Sequence, residues 1–202
     1  MGHASEYLST LPDGLASYPG TECKASLLNT FAQPHRVLLS DSLVDETLRN
    51  LVIDPPPPST WIPEVHVQFI FQMIRELRFP KDEDFIEHSR RMNKQLLSSP
   101  LYHVLFRTMS HSRVARMAGS AWRRFHRGTS LTVVSAERDS HVARMDFPSH
   151  LLTPVSVAGI TTGIEYALYL GGARGLRTET LEMSPEHYLF RIVWGTAASE
   201  EP

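Results

Sequence analysis

The side chains best able to do chemistry in this 202-residue sequence are its ten histidines and its single cysteine. His3, His35, His66, His88, His103, His111, His126, His141, His150 and His187 are scattered. No two stand at i, i+4 on one helix and no His-x-His occurs, so their spacing builds no metal site from a single element, and no metal is expected. A lone histidine is most often a hydrogen-bonded core or surface residue. His66, on the inner side of an apolar helix, and His103 and His111, flanking a helix end, are the members placed to ligate a heme or a metal.

Cys23 has no base beside it in the sequence and reads as a small buried hydrophobe. Being the only cysteine, it permits neither an intrachain disulfide nor a thiolate zinc cluster, which favours a reducing, cytoplasmic setting. Glu165 sits among apolar residues of a helix. It reads either as a buried acid of functional interest or, preferably, as a group facing solvent or paired with an arginine. Gly171-Gly172-Ala173-Arg174-Gly175 follows a helix rather than a strand, so it is a helix stop and turn, not a phosphate loop. No nucleotide-binding, hydrolase-elbow or zinc-protease motif occurs. No catalytic residue is therefore assigned, and the chain is not expected to be an enzyme.

Charge is uneven. Residues 88–136 carry nine bases and no acid, whereas 1–87 carry thirteen acids and six bases, and the total is only -2. Arg113, Arg116, Arg123 and Arg127 fall on one helix face and form the candidate partner surface for an acidic protein or a homodimer. The plainer reading is a wet helix face paired with the acidic remainder. Nucleic acid is not expected, because the total is not basic and the block lacks interleaved Gly and aromatic motifs. No apolar run nears the roughly 20 residues that span a bilayer, and no secretory signal opens the chain, so no membrane role is expected.

The elements that must position these residues follow from periodicity. Residues 1–20 read as a flexible or loosely docked arm, and 23–31 and 42–51 as short helices. The four prolines 55–58 form a stiff connector anchored by Trp61. Trp61 and Ile62 open a central helix in which His66, Phe69, Ile70, Met73 and Ile74 recur at helical spacing. Further helices are expected from Asp82 onward, after Ser99-Pro100, and from Ser110 to Gly128 with Val114, Ala118, Ala121 and Trp122 inside. Strands are expected over 129–136, 141–147, 176–183 and 187–194, with a helix over 154–171 between the two pairs. The order helices, strand, strand, helix, strand, strand predicts an α+β fold: an N-terminal helical bundle packed on a four-stranded antiparallel sheet. One domain is expected over 21–195, with 196–202 as a tail.

Leu77-Arg78-Phe79-Pro80, Ala121 to Gly128 and His187 to Trp194 resemble a paralogous family of myxobacterial proteins without an established activity, over about residues 24–195. That family is similar in fold to heme-NO-binding and 4-vinyl-reductase-like domains, which hold a small molecule between bundle and sheet and often act as sensors or scaffolds. The resemblance implies a ligand chamber. Heme-binding relatives use an axial His and a Tyr-x-Ser-x-Arg stretch, and the latter is absent here, so no cofactor is assigned. Trp61, His66, Phe69, Met73, Tyr102, Met109, Trp122 and Tyr166 are the candidate lining for a small apolar ligand, set against plain core packing. The reading is a non-catalytic sensor or regulatory domain, or alternatively an interaction or scaffold subunit working through 88–136.

Overall fold

Ala4, Tyr7, Leu8 and Leu11 stand at i, i+3, i+4 and i+7, an apolar stripe one helix turn wide. In the structure, a computed structural model that describes residues 2–98 and 110–195, the first three lie on α1 (His3–Thr10) and Leu11 is its C-cap. Ala4, Tyr7 and Leu11 are buried, and Tyr7 Oη donates to the Leu151 carbonyl at 3.0 Å. The first part of the expected loose arm is thus a docked helix; its stripe is too short to stand out against the Ser, Gly and Pro around it.

A three-stranded antiparallel sheet follows, in the order β2-β1-β3, from β1 (Glu22–Lys24), β2 (Trp61–Pro63) and β3 (His126–Arg127). Cys23 pairs with both Ile62 and His126, so this small sheet ties three distant parts of the chain together. Trp61 to Pro63, expected as the first turn of a helix, is a strand, and the helix expected to run from Ser110 to Gly128 stops at Trp122, with His126 and Arg127 in a strand instead. Three-residue strands carry no usable period, so pairing partners far along the chain decide them.

Between β1 and β2 lie α2 (Ala25–Ala32), α3 (Arg36–Ser42) and α4 (Glu46–Ile53). Asp45 caps α4 by accepting from the Leu48 N–H at 3.0 Å. The central helix α5 (Glu64–Arg78) and α6 (Asp82–Leu97) follow; α6 begins with three acids at its positive end. After them come α7 (His111–Trp122), β4 (Ser130–Ala136), β5 (Ser140–Asp146), α8 (Pro154–Leu170), β6 (Arg174–Met183) and β7 (His187–Gly195). The last four strands form the expected four-stranded antiparallel sheet, and their order in it is β4-β5-β7-β6.

Two apolar clusters make the core. One joins the sheet to α7 and α8 through Met145, Phe190, Ile192, Leu131 and Trp122. The other lies among α2 to α6 around Leu28, Leu39, Ile70, Ile74 and Phe85. Helix α8 is apolar on nearly every side and passes between them; Thr153 caps it by accepting from the Ser156 N–H. Gly159 and Gly163 on α8 let α6 come close: a Cβ on Gly159 would stand 2.9 Å from Ser89 Oγ, and one on Gly163 3.1 Å from Asn93. Asn93 Nδ2 then reaches the Gly159 carbonyl at 3.0 Å and Thr162 Oγ1 at 2.9 Å.

Candidate functional site

Helix α5 is buried on most sides, and its Glu64, Val67, Gln68 and Phe71 stand at i, i+3, i+4 and i+7. That face forms one wall of a cavity of about 250 Å³ between the helices and the large sheet. Leu27 and Phe31 of α2, Phe85, Ser89 and Asn93 of α6, and Ala118 and Trp122 of α7 supply further walls. Helix α8 contributes Gly159, Ile160 and Ile164, and the sheet closes the chamber with Leu131, Ala143, Phe190 and Ile192. The lining is overwhelmingly apolar.

Its polar end is a small network. Glu64 is 2% exposed, and its Oε2 lies 2.9 Å from Nδ1 of the buried His126. The His126 ring lies flat on Trp122, with centroids 3.8 Å apart and planes 9° apart. Gln68, also 2% exposed, donates from Nε2 to Glu64 Oε1 over a long 3.5 Å. Its own Oε1 is buried and accepts no hydrogen bond from the described residues. Cys23, fully buried on the same wall, has its thiol pushed well up by burial first and by the Glu64 carboxylate second. It is held as the neutral thiol and is a poor nucleophile.

Trp122 is the one member of the sequence-derived lining set that the described residues bring to this cavity. Tyr102 and Met109 lie outside the described residues. Trp61 sits in the small sheet with Lys24 and Arg127 over its ring, each 3.9 Å from the centroid. His66, Phe69 and Met73 are carried by the other faces of α5, and burial pushes the His66 imidazole below its ordinary pKa. Tyr166 is turned to Ser98 and Tyr169. An all-round apolar helix offers several candidate faces, and the apolar residues do not say which one meets a cavity. Glu64 and Gln68, one turn apart, were not singled out; Gln72 and Glu76 repeat that spacing further along α5, so the polar residues alone do not choose the face either.

Glu165 is both buried and paired: it lies 3.8 Å from Arg90 and accepts from Thr178 Oγ1 at 2.5 Å. Arg127 is partnered by Glu22 at 3.0 Å. Arg113, Arg116 and Arg123 are exposed and meet no carboxylate of the described residues; Arg116 and Arg123 border an open groove between α7 and the edge strand β4. Among the described residues no group of three or more His, Cys, Asp or Glu side chains could hold a metal ion. No helix of the described residues is long and apolar enough to cross a membrane.

No family model matches the sequence, and no curated protein does. Solved structures do share the fold. A structure concerned with the molecular mechanism of H-NOX activation is similar with a TM-score of 0.59 and 16% identity, over 88% of this chain and 100% of that one. An oxygen-binding H-NOX domain related to soluble guanylate cyclases, in its oxygen complex, is similar with a TM-score of 0.58 and 15% identity, over 89% and 98%. A mutant H-NOX from T. Tengcongensis is similar with a TM-score of 0.57 and 16% identity, over 85% and 97%. At these identities the likeness is one of fold: this chain has the α+β architecture of the H-NOX domain.

Proposed function

We propose that this chain is a non-catalytic sensor or regulatory domain that holds a small apolar ligand between its helices and its sheet. The kinship to the myxobacterial paralogous family, carried by residues 77–80, 121–128 and 187–194, and a ligand-holding unit over 21–195 belong to this reading. One observation carries it. An apolar chamber of about 250 Å³ sits where helical layer and sheet meet, lined from five helices and three strands of the large sheet. Pockets of this composition suit apolar molecules fixed by a few polar groups.

The H-NOX domains of similar fold are described through their heme. His126 offers Nδ1 to Glu64 and its ring face to Trp122. Besides the histidines, Arg124 is the only basic side chain among the lining residues, and no Tyr-x-Ser-x-Arg occurs to hold propionates. The described residues do not fit a heme, and the ligand proposed is a smaller apolar one.

Naphthalene titrated by calorimetry tests this reading. Saturable one-to-one binding is expected in the parent protein, and its loss in Ala118→Phe, which fills the chamber. A parent protein that takes up no naphthalene, with native mass spectrometry of the protein from its own source also showing no bound molecule, refutes the reading.

A second reading, an interaction subunit, rests on the α7/β4 groove. Arg116 and Arg123 border it, no acid lines it, and β4 is an edge strand. Such an edge suits an acidic extended segment of a partner. Light scattering on a sizing column reports self-association, and a poly-glutamate peptide that competes with nothing and binds nothing at low salt dismisses the groove.

A further inference from the structure

The polar end of the chamber says what kind of apolar molecule it takes, granted that the chamber holds a ligand. Most polar side chains of the lining are spent inside the protein. Ser89 Oγ donates to the Phe85 carbonyl at 2.9 Å, and Asn93 Nδ2 serves α8. Ser156 Oγ accepts from Gln72 Nε2 at 3.1 Å, and Ser120 Oγ donates to the Met117 carbonyl at 2.8 Å. Gln68 differs. Its Oε1 is the one side-chain oxygen of the lining that is both buried and without a hydrogen-bond partner among the described residues.

The direction of that amide is fixed by its neighbour. Glu64, one turn earlier on α5, presents Oε1 to it at 3.5 Å. A carboxylate accepts and does not donate, so the Gln68 nitrogen faces it and the oxygen faces away. Turning the amide over would set two acceptors against each other. A buried carbonyl of this kind is served by an ordered water or by a donor that comes with the ligand, and a ligand that fills the apolar chamber and displaces the water must bring that donor itself.

We infer that the ligand is a neutral molecule with an apolar body and a single O–H or N–H donor, the donor meeting Gln68 Oε1. Phenols, indoles and apolar alcohols have this chemistry. Carboxylates and sulfonates do not, because the buried Glu64 carboxylate beside Gln68 repels an anionic head in a low-dielectric wall. The rest of the lining, among it Val67, Phe71, Ile160, Ile164 and Phe190, takes the apolar body.

The test compares 2-naphthol, 2-methoxynaphthalene and 2-naphthoate by calorimetry. The first two share ring and oxygen and differ in the donor. In the parent protein 2-naphthol should bind about tenfold more tightly than 2-methoxynaphthalene, the worth of one hydrogen bond to an otherwise unpaired group. The naphthoate should bind weakest. In Gln68→Leu, which keeps the wall and removes the acceptor, the preference for 2-naphthol should fall to near unity. Equal binding of 2-naphthol and 2-methoxynaphthalene to the parent protein, or the tightest binding by 2-naphthoate, overturns the assignment while leaving the chamber reading intact. These comparisons need no variant, so they decide even if Gln68→Leu does not fold. A preference that survives in a folded Gln68→Leu also overturns it. Failure of all three, and of naphthalene, removes the chamber reading and the donor with it.

Discussion

The protein buries histidine in two unlike ways. His35 and His88 face each other with Nε2 atoms 3.3 Å apart, inside a ring of Phe31, Phe79 and Phe85. Burial and the nearby Arg78 hold His35 below the ordinary imidazole value, and burial, the facing His35 and Arg91 push His88 down to about 4. His126, by contrast, lies against the Glu64 carboxylate and on the Trp122 ring, at the wall of the cavity. The first setting treats imidazole as a neutral aromatic that helps close the core among α2 to α6. The second makes it part of a polar network beside an apolar chamber. The same residue type therefore closes one region and gives the other its polar end.

Phe85 belongs to both regions. Its ring lies 5.9 Å from Phe79 and 6.4 Å from His88, and it also lines the cavity. Phe85→Ala should cost about 3–5 kcal/mol, the usual range for a buried phenylalanine, read from urea unfolding. A loss well under that range would mean the two regions do not share this ring as a common wall.

Acid should separate the two settings. In the unfolded chain His35 and His88 take up protons near pH 6.5, while in the fold His88 waits until about 4. Between those values the unfolded state binds more protons, so stability falls as the pH drops through that window and is complete above it. About 2–3 kcal/mol should be lost, measured by urea unfolding at a series of pH values. The double variant His35→Phe, His88→Phe should flatten most of that slope. A slope that persists in the double variant would place the titration elsewhere.

Glu64→Gln probes the other setting. It replaces a charged acceptor by a neutral one of the same shape and should cost about 1–2 kcal/mol, from the weaker contact with His126. The slope with pH between 6.5 and 4, assigned above to His35 and His88, should survive in this variant. Its disappearance would show the two histidine settings to be coupled.

The large elements were legible because their periods are long. Thr153-Pro154 to Gly171 announces α8 at both ends, and the alternation of residues 141–147 announces β5. The small sheet was not legible. Trp61, Ile62 and Pro63 look locally like a helix start, and only pairing with Glu22 to Lys24, about forty residues earlier, makes them a strand. The site divided the same way. Trp122 shows its apolar character in a helical stripe, but Gln68 and Glu64 matter through which wall they stand on. His126 matters through β3 pairing with β1, which draws it under Trp122 and against α5. That arrangement is tertiary, and no window of sequence holds it.

The smallest expected effect tests how the two settings are kept apart. His88 and Ser89 are neighbours on α6, yet His88 turns to the phenylalanine ring and Ser89 turns to α8 and the cavity. A Cβ on Gly159 would press on Ser89 at 2.9 Å from Oγ and 3.2 Å from Cβ. Alanine gains up to about 1 kcal/mol over glycine in a helix interior, so the crowding must exceed that to show. Gly159→Ala should therefore destabilise by about 1 kcal/mol net. In a Ser89→Ala background the Oγ contact is gone and the same substitution should cost little or nothing, a coupling that a double-mutant cycle isolates. The His88 ring faces away from the pressed side, so its titration followed by NMR should not move in Gly159→Ala. A shift there would mean that strain on the cavity side passes straight through α6, and that the closed core and the open chamber answer to one another.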